Sequence, residues 1–143
     1  GNPLTVVGVL EPPEGIDGRR VDALADRLIL RQALINLVDN AIKYSPAGGQ
    51  ILIRVDGIGD DAVVDVVDSG HGIPDEARRR IFDRFYRVED GGSTHGAGLG
   101  LSLARGAVEA NGGRLTLETT GPGGSTFRIT IPRASSERHR AAG

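Results

Sequence analysis

The stretch Asn36-Leu37-Val38-Asp39-Asn40-Ala41-Ile42-Lys43-Tyr44-Ser45 decides how this chain is read. Two asparagines stand four residues apart, and Lys43 and Tyr44 follow one turn later. At 3.6 residues per turn, Asn36, Asn40 and Lys43 or Tyr44 fall along one stripe of a helix. That stripe offers neutral oxygen ligands, a cation and an aromatic ring. Mg²⁺ with phosphates wants such a set: hard oxygen donors for the ion and a positive point charge for the phosphates. Apolar Leu34, Leu37, Val38, Ala41 and Ile42 occupy the neighbouring face. Alone, the stretch reads equally well as an amphipathic helix with its polar side in water.

Three motifs downstream separate those readings. Asp68-Ser69-Gly70-His71-Gly72-Ile73-Pro74 closes the apolar run Val63-Val64-Asp65-Val66-Val67. A strand ending in Asp and spaced glycines makes a tight turn with exposed backbone. A carboxylate at the bottom of a pocket can accept a hydrogen bond from an exocyclic amine such as adenine's, although Asp-Ser-Gly alone more commonly marks a plain turn. Gly96-Ala97-Gly98-Leu99-Gly100-Leu101 leads into the helical pattern Leu103, Ala104, Ala107, Val108. Glycines at a helix start present free N–H groups at its positive end, which suits phosphates. The spacing matches neither the dinucleotide fingerprint nor the phosphate loop ending in Gly-Lys-Ser/Thr. Between the two lies Ile81-Phe82-Asp83-Arg84-Phe85-Tyr86-Arg87. Phe82 and Phe85 are expected in the core, and the arginines are candidates for reaching a terminal phosphate.

Taken in order, these motifs resemble the N, first glycine, F and second glycine boxes of the catalytic, ATP-binding domain of sensor histidine kinases. That family lies in the gyrase, chaperone, histidine kinase and mismatch-repair ATPase superfamily. Gly124-Ser125-Thr126-Phe127 is similar to the family's last turn between strands. The resemblance covers Leu4 to Pro132. It implies a two-layer α/β (α+β) sandwich, the Bergerat-type ATP-binding fold, in which a mixed, mostly antiparallel sheet carries helices on one face. About five strands and about three helices are expected. A lid over 88–98 would close on the nucleotide, within a catalytic domain spanning 1–133; residues 134–143 are expected to be a disordered tail.

The resemblance also implies roles. Asp68 would bind the adenine amino group, Gly70, Gly72 and Ile73 would shape the base site, and Gly72 would let the base approach the backbone. Asn40 would be the principal Mg²⁺ ligand and Asn36 a second contact. Lys43 would bind phosphate beside Tyr44, and Arg87 and Arg84 would meet the γ-phosphate. Gly96, Gly98 and Gly100 would let the lid fold, Leu99 and Leu101 would anchor the following helix, and Thr126 would line the site. Related ATPases carry Glu at the Asn36 position to activate water. An amide cannot act as a general base, so the site should hold ATP without hydrolysing it fast.

The implied activity is transfer of the ATP γ-phosphoryl to a histidine on a separate dimerisation domain, then to an aspartate of a response regulator. His71, His95 and His139 do not sit in such a phosphoacceptor setting and are read as bystanders. An ATP-hydrolysing switch of the same fold, or a regulatory nucleotide-binding module, are the alternatives.

Composition agrees with one compact domain of 143 residues. There are no cysteines, the net charge is −2, and Lys43 is the only lysine. That balance gives no electrostatic case for nucleic acid. No apolar run is long enough to cross a membrane. The absence of methionine, even at position 1, leads us to expect a fragment of a longer protein. The fragment should be monomeric and unable to autophosphorylate. The parent would be a homodimer anchored in the bacterial cell membrane, with this domain in the cytoplasm.

The coarse pattern places strands over 4–10, 19–23, 50–55, 62–67, 114–119 and 126–131. Helices are expected from the Asp26 cap to Tyr44 and from Leu99 to Ala110, with one or two short ones over 75–87.

Overall fold

The computed structural model describes residues 5–10, 27–87 and 99–132. The expected strand over 19–23, the Asp26 cap, the lid over 88–98 and the tail over 134–143 lie outside these residues. In chain order the elements are β1 (Thr5–Leu10), α1 (Arg27–Tyr44), β2 (Gln50–Ile58), β3 (Asp61–Val67), α2 (Gly100–Ala110), β4 (Arg114–Gly121) and β5 (Gly124–Pro132). The strands form one sheet in the order β1-β2-β3-β5-β4. β2, β3, β5 and β4 run antiparallel, and β1 lies parallel to β2. A parallel pair needs a crossover between its strands, and α1 lies in that connection.

Alternation along the strands separates two faces. Val64 and Val66 of β3 stand opposite Ile129 and Phe127 of β5, which in turn face Leu115 and Leu117 of β4. With Ile51 these side chains make the sheet's half of the core. The helices supply the other half through residues one turn apart: Ala33, Leu37 and Ala41 from α1, Ala104 and Val108 from α2. Three of those five are alanine, so little side chain separates the helices from what they cover. Ile42 departs from the expected apolar face and is 44% exposed.

The opposite sheet face carries polar groups. Asp65 and Arg128 stand directly across from each other on β3 and β5. Arg128 Nε donates to Asp65 Oδ1 at 2.8 Å and Nη2 to Oδ2 at 2.9 Å. The hydrogen bond to Asp65 raises the Arg128 pKa further above its ordinary value, against a smaller lowering by burial.

Two α-helices are present among the described residues, not about three. The 75–87 segment is a chain of turns, with i+3 bonds such as Arg80 N–H to Ala77 O mixed with i+4 bonds such as Ile81 N–H to Ala77 O. Only Ala77 and Ile81 of this segment are fully buried, which is too little packing to sustain a short helix. Its aromatics divide. Phe82 meets Phe127 edge-on, with centroids 6.2 Å apart. Phe85 was expected in the core but is 71% exposed, because its φ of +64° turns the chain and aims the ring outward.

Phe127 joins β5, β4 and the turn segment through one ring. Phe127→Ala should lower unfolding free energy by about 3–5 kcal/mol in urea titration without abolishing the cooperative transition.

Candidate nucleotide-binding site

Asp68 leaves the end of β3 and is only 8% exposed. A buried carboxylate must find donors, and two backbone groups supply them. Gly70 N–H donates to Asp68 Oδ1 at 2.9 Å, and Ser125 N–H donates to the same oxygen at 3.0 Å. Asp68 N–H in turn donates to Ser125 O at 2.9 Å. Oδ2 takes no bond from the described residues. No buried side-chain oxygen or nitrogen among them is unsatisfied, so Oδ2 opens to solvent-accessible space. The result is a carboxylate oriented through one oxygen and available through the other.

The glycines around it are held by close backbone approach. Gly124 has φ +134°, and a Cβ there would collide with Asp68 O. A Cβ on Gly70 would stand 2.8 Å from Tyr44 O, which joins this loop to the end of α1. Gly72 has φ +85°, and its Cβ would strike Gly121 O at the β4–β5 turn. The expected reason for Gly72 was approach of a base; the contact that demands glycine in the structure is this hairpin. Ile73 N–H donates to Thr120 Oγ1 at 2.7 Å, and Thr120 Oγ1 lies 2.8 Å from Ser125 Oγ. The first glycine box and the closing hairpin are thus one hydrogen-bonded unit. Thr126 is half-buried beside it.

Ser69 ties that unit to α1. Its N–H donates to Ser45 Oγ at 3.2 Å. Its hydroxyl accepts from Gln50 N–H at 2.9 Å and donates to Gln50 O at 2.7 Å. The end of α1, the start of β2 and the end of β3 meet at this residue, through its amide and its hydroxyl. Tyr44 approaches His71 edge-on at 6.2 Å.

The α1 stripe therefore runs toward Asp68. Asn36 and Asn40 are both half-buried and Lys43 is exposed. Asn36 Oδ1 accepts from Gln32 Nε2 at 3.2 Å; the Asn40 amide has no partner among the described residues. Two neutral amide oxygens one turn apart fit a hard ion that keeps most of its shell for water and phosphate. Among the described residues no cluster of three or more His, Asp or Glu could hold an ion alone.

Other expected residues fall further from this centre. Arg84 and Arg87 are exposed beyond Phe82, in the turn segment. Leu99 is the N-cap of α2 without a side-chain cap bond, and Leu101 packs on the core. Nothing lies within 4 Å of a Cβ built on Gly100, so its neighbours do not require glycine there. Gly96 and Gly98 lie outside the described residues, as does His95. Ser69 and Ser125 stand in the motifs without an assigned role and Thr120 in none of them, because the partners that matter here are 19 to 57 residues away. Their one local signal was position: each borders a glycine-bearing turn that has to close on something.

Residues 25–135 match the family model described as histidine kinase-, DNA gyrase B- and HSP90-like ATPase. The chain is 39% identical over 112 residues to the sensor protein KdpD of Clostridium acetobutylicum, covering 76% of this chain and 12% of that protein. The solved mycobacterial sensor histidine kinase MprB is 35% identical, with a TM-score of 0.66 over 75% of this chain and 72% of that one. Full-length ShkA, solved in complex with AMPPNP, is 32% identical with a TM-score of 0.65, covering 76% of this chain and 22% of that one. The chain thus spans a minor part of the curated relatives it matches, 12% of KdpD and 28% of the adaptive-response sensory kinase SasA of Rippkaea orientalis. None of the described helices is long and apolar enough to cross a membrane. With the box order, the sheet and the matches in agreement, the chain belongs to the histidine kinase-, gyrase- and HSP90-like ATPase family, as a catalytic ATP-binding domain of the sensor histidine kinase type.

Proposed function

We propose that this domain binds Mg-ATP and presents its γ-phosphoryl to a histidine on a separate dimerisation domain, from which a response regulator aspartate takes it. The observation that carries the reading is the Asp68 carboxylate, fixed through Oδ1 and open at Oδ2. An acceptor in that state suits the adenine amino group, and holding it in place beforehand lowers the cost of binding.

The α1 stripe then meets the phosphates. Asn40, uncommitted in the structure, is the first ligand for the ion, and Asn36 contacts the same shell after giving up its bond from Gln32. Bound Mg²⁺ would neutralise charge on the phosphates. Lys43 supplies a positive charge, aided by nothing covalent; phosphoryl transfer asks the protein mainly for positioning and charge. Tyr44 flanks the nucleotide. Arg87 and Arg84 reach the γ-phosphate as the 88–98 lid closes, with Gly96, Gly98 and Gly100 as its pivots. Asn36 offers no general base, so stored ATP outlives water attack until the phosphoacceptor arrives. The working unit is residues 1–133, with 134–143 as a tail. In the parent protein we place the domain in the cytoplasm, linked to a dimeric, membrane-anchored partner region.

Calorimetric titration with a non-hydrolysable ATP analogue, with and without Mg²⁺, tests this. The unmodified chain should bind, and more tightly with Mg²⁺. Asp68→Asn keeps an acceptor for the two N–H groups but turns its free arm into a donor; affinity should fall about tenfold to a hundredfold. Asn40→Ala should remove the gain from Mg²⁺ and spare metal-free binding. Gly124→Ala should cost about 1–3 kcal/mol of stability, since its φ is closed to alanine, and should weaken binding through Asp68. No binding by the unmodified chain, or full affinity in Asp68→Asn, would overturn the reading.

A further inference from the structure

The bidentate pair between Asp65 and Arg128 lies on the sheet face away from the helices, outside the site described above. Asp65 is 5% exposed, so the carboxylate is deeply covered for a group on that face. We infer that this pair sets the register of β3 against β5 and thereby positions Ser125 N–H on Asp68; both are positioning residues for nucleotide recognition. The inference rests on Asp68 as the acceptor of the base.

The reason lies in β3 itself. Its sequence, Asp61-Ala-Val-Val-Asp-Val-Val67, presents valine on both faces. Register is well specified when one face is apolar and the other polar, and poorly when both are alike. Slipping β3 by two residues would set Val66 against Ile129 and Val64 against Ile131, so valine would still meet isoleucine there, while Phe127 would lose Val66 and face Asp68. The outer face would change: Val63 or Val67 would meet Arg128, and Asp65 would meet threonine, Thr130 or Thr126. A slip by one residue would turn Asp65 into the core. Asp65, the buried one of the strand's two aspartates, thus marks both face and register; Arg128 reads it from β5, and Arg54 stands opposite it on β2. The strands are not joined by a hairpin that could set the register, since β3 and β5 are separated by residues 68–123.

The site depends on that register. Asp65 and Asp68 are three residues apart on one strand and its end; Arg128 and Ser125 are three apart on the other. A two-residue slip moves Asp68 by about 6.6 Å along β5, beyond any hydrogen bond to Ser125. Buried ion pairs are better attested as devices of specificity than of stability, and their replacement by apolar residues often keeps a protein folded.

Two double variants, both made in an Arg54→Ser background because Arg54 stands opposite Asp65 on β2, separate register from stability. Asp65→Val with Arg128→Val should stay folded while erasing the register signal; the reversed pair, Asp65→Arg with Arg128→Asp, should keep it. The readouts are Ser125 amide hydrogen exchange in the free protein, and affinity for a non-hydrolysable ATP analogue against purine riboside triphosphate, which lacks the 6-amino group. The apolar variant should exchange Ser125 N–H about tenfold faster or more, with core amides such as Ile51 unchanged. It should also lose about tenfold in affinity for the ATP analogue and little for the purine analogue, because only the former uses Asp68. The reversed pair should restore both. Unchanged Ser125 exchange in the apolar variant would overturn the inference, as would equal loss for both nucleotides. If the unmodified chain does not distinguish the two nucleotides, the reading of Asp68 fails instead, and the exchange at Ser125 still decides the role of the pair.

Discussion

The reciprocal bonding of Asp68 and Ser125 is the constraint on which the site depends. A strand end and the first residues of a distant strand exchange two hydrogen bonds, one through backbone and one through carboxylate. This contact requires Gly124, because the two backbones lie closer than a side chain allows. It gives a buried acid its donors and spends only one oxygen in doing so. The remaining oxygen takes no bond from the described residues. From this contact the Gly72 turn, the Thr120 hydroxyl and the β4–β5 connection form a single rim beside Asp68, framed by hydrogen bonds between main chain and small side chains.

The second constraint is the placement of α1. Alanines at Ala33 and Ala41 let the helix sit low over the sheet, and Leu37 between them fills the core. This orientation keeps Asn36 and Asn40 at the helix flank, half-buried. Ser69 then binds the helix end to the strand end by way of Ser45 and Gln50. The end of α1, the end of β3 and the β4–β5 turn are separate elements, and these few hydrogen bonds hold them in one frame. The family matches place the chain among sensor histidine kinase catalytic domains; the local bonding joins the end of α1, the first glycine box and the closing turn.

Much of this was legible in the sequence, and the division follows the range of the interactions. Both helices and the five strands other than 19–23 were readable from periodicity and from Gly and Pro punctuation, since those signals are local. β2 runs three residues past the expected Val55, to Ile58, because the turn falls at Gly59, with φ +58°, and Asp60. The motif residues were legible as a set through their order. The 75–87 segment was misread because its apolar spacing resembles a helix while its packing supports only turns. Phe85 was misplaced because a positive φ in a non-glycine residue leaves no mark in composition. The roles of Ser69, Thr120 and Ser125 escaped for a different reason: a serine or threonine looks the same in sequence whether its hydroxyl or amide meets water or a strand far along the chain. Gly72 was found, but the backbone that demands it, Gly121, could be known only from the fold.

The most direct test of the account is a crystal structure of the domain with Mg²⁺ and a non-hydrolysable ATP analogue. The account predicts the adenine amino nitrogen within about 2.7–3.2 Å of Asp68 Oδ2, with Oδ1 still held by Gly70 and Ser125. It predicts the ion within about 2.0–2.1 Å of the Asn40 amide oxygen. A base bound away from Asp68, or an ion that does not touch α1, would contradict it.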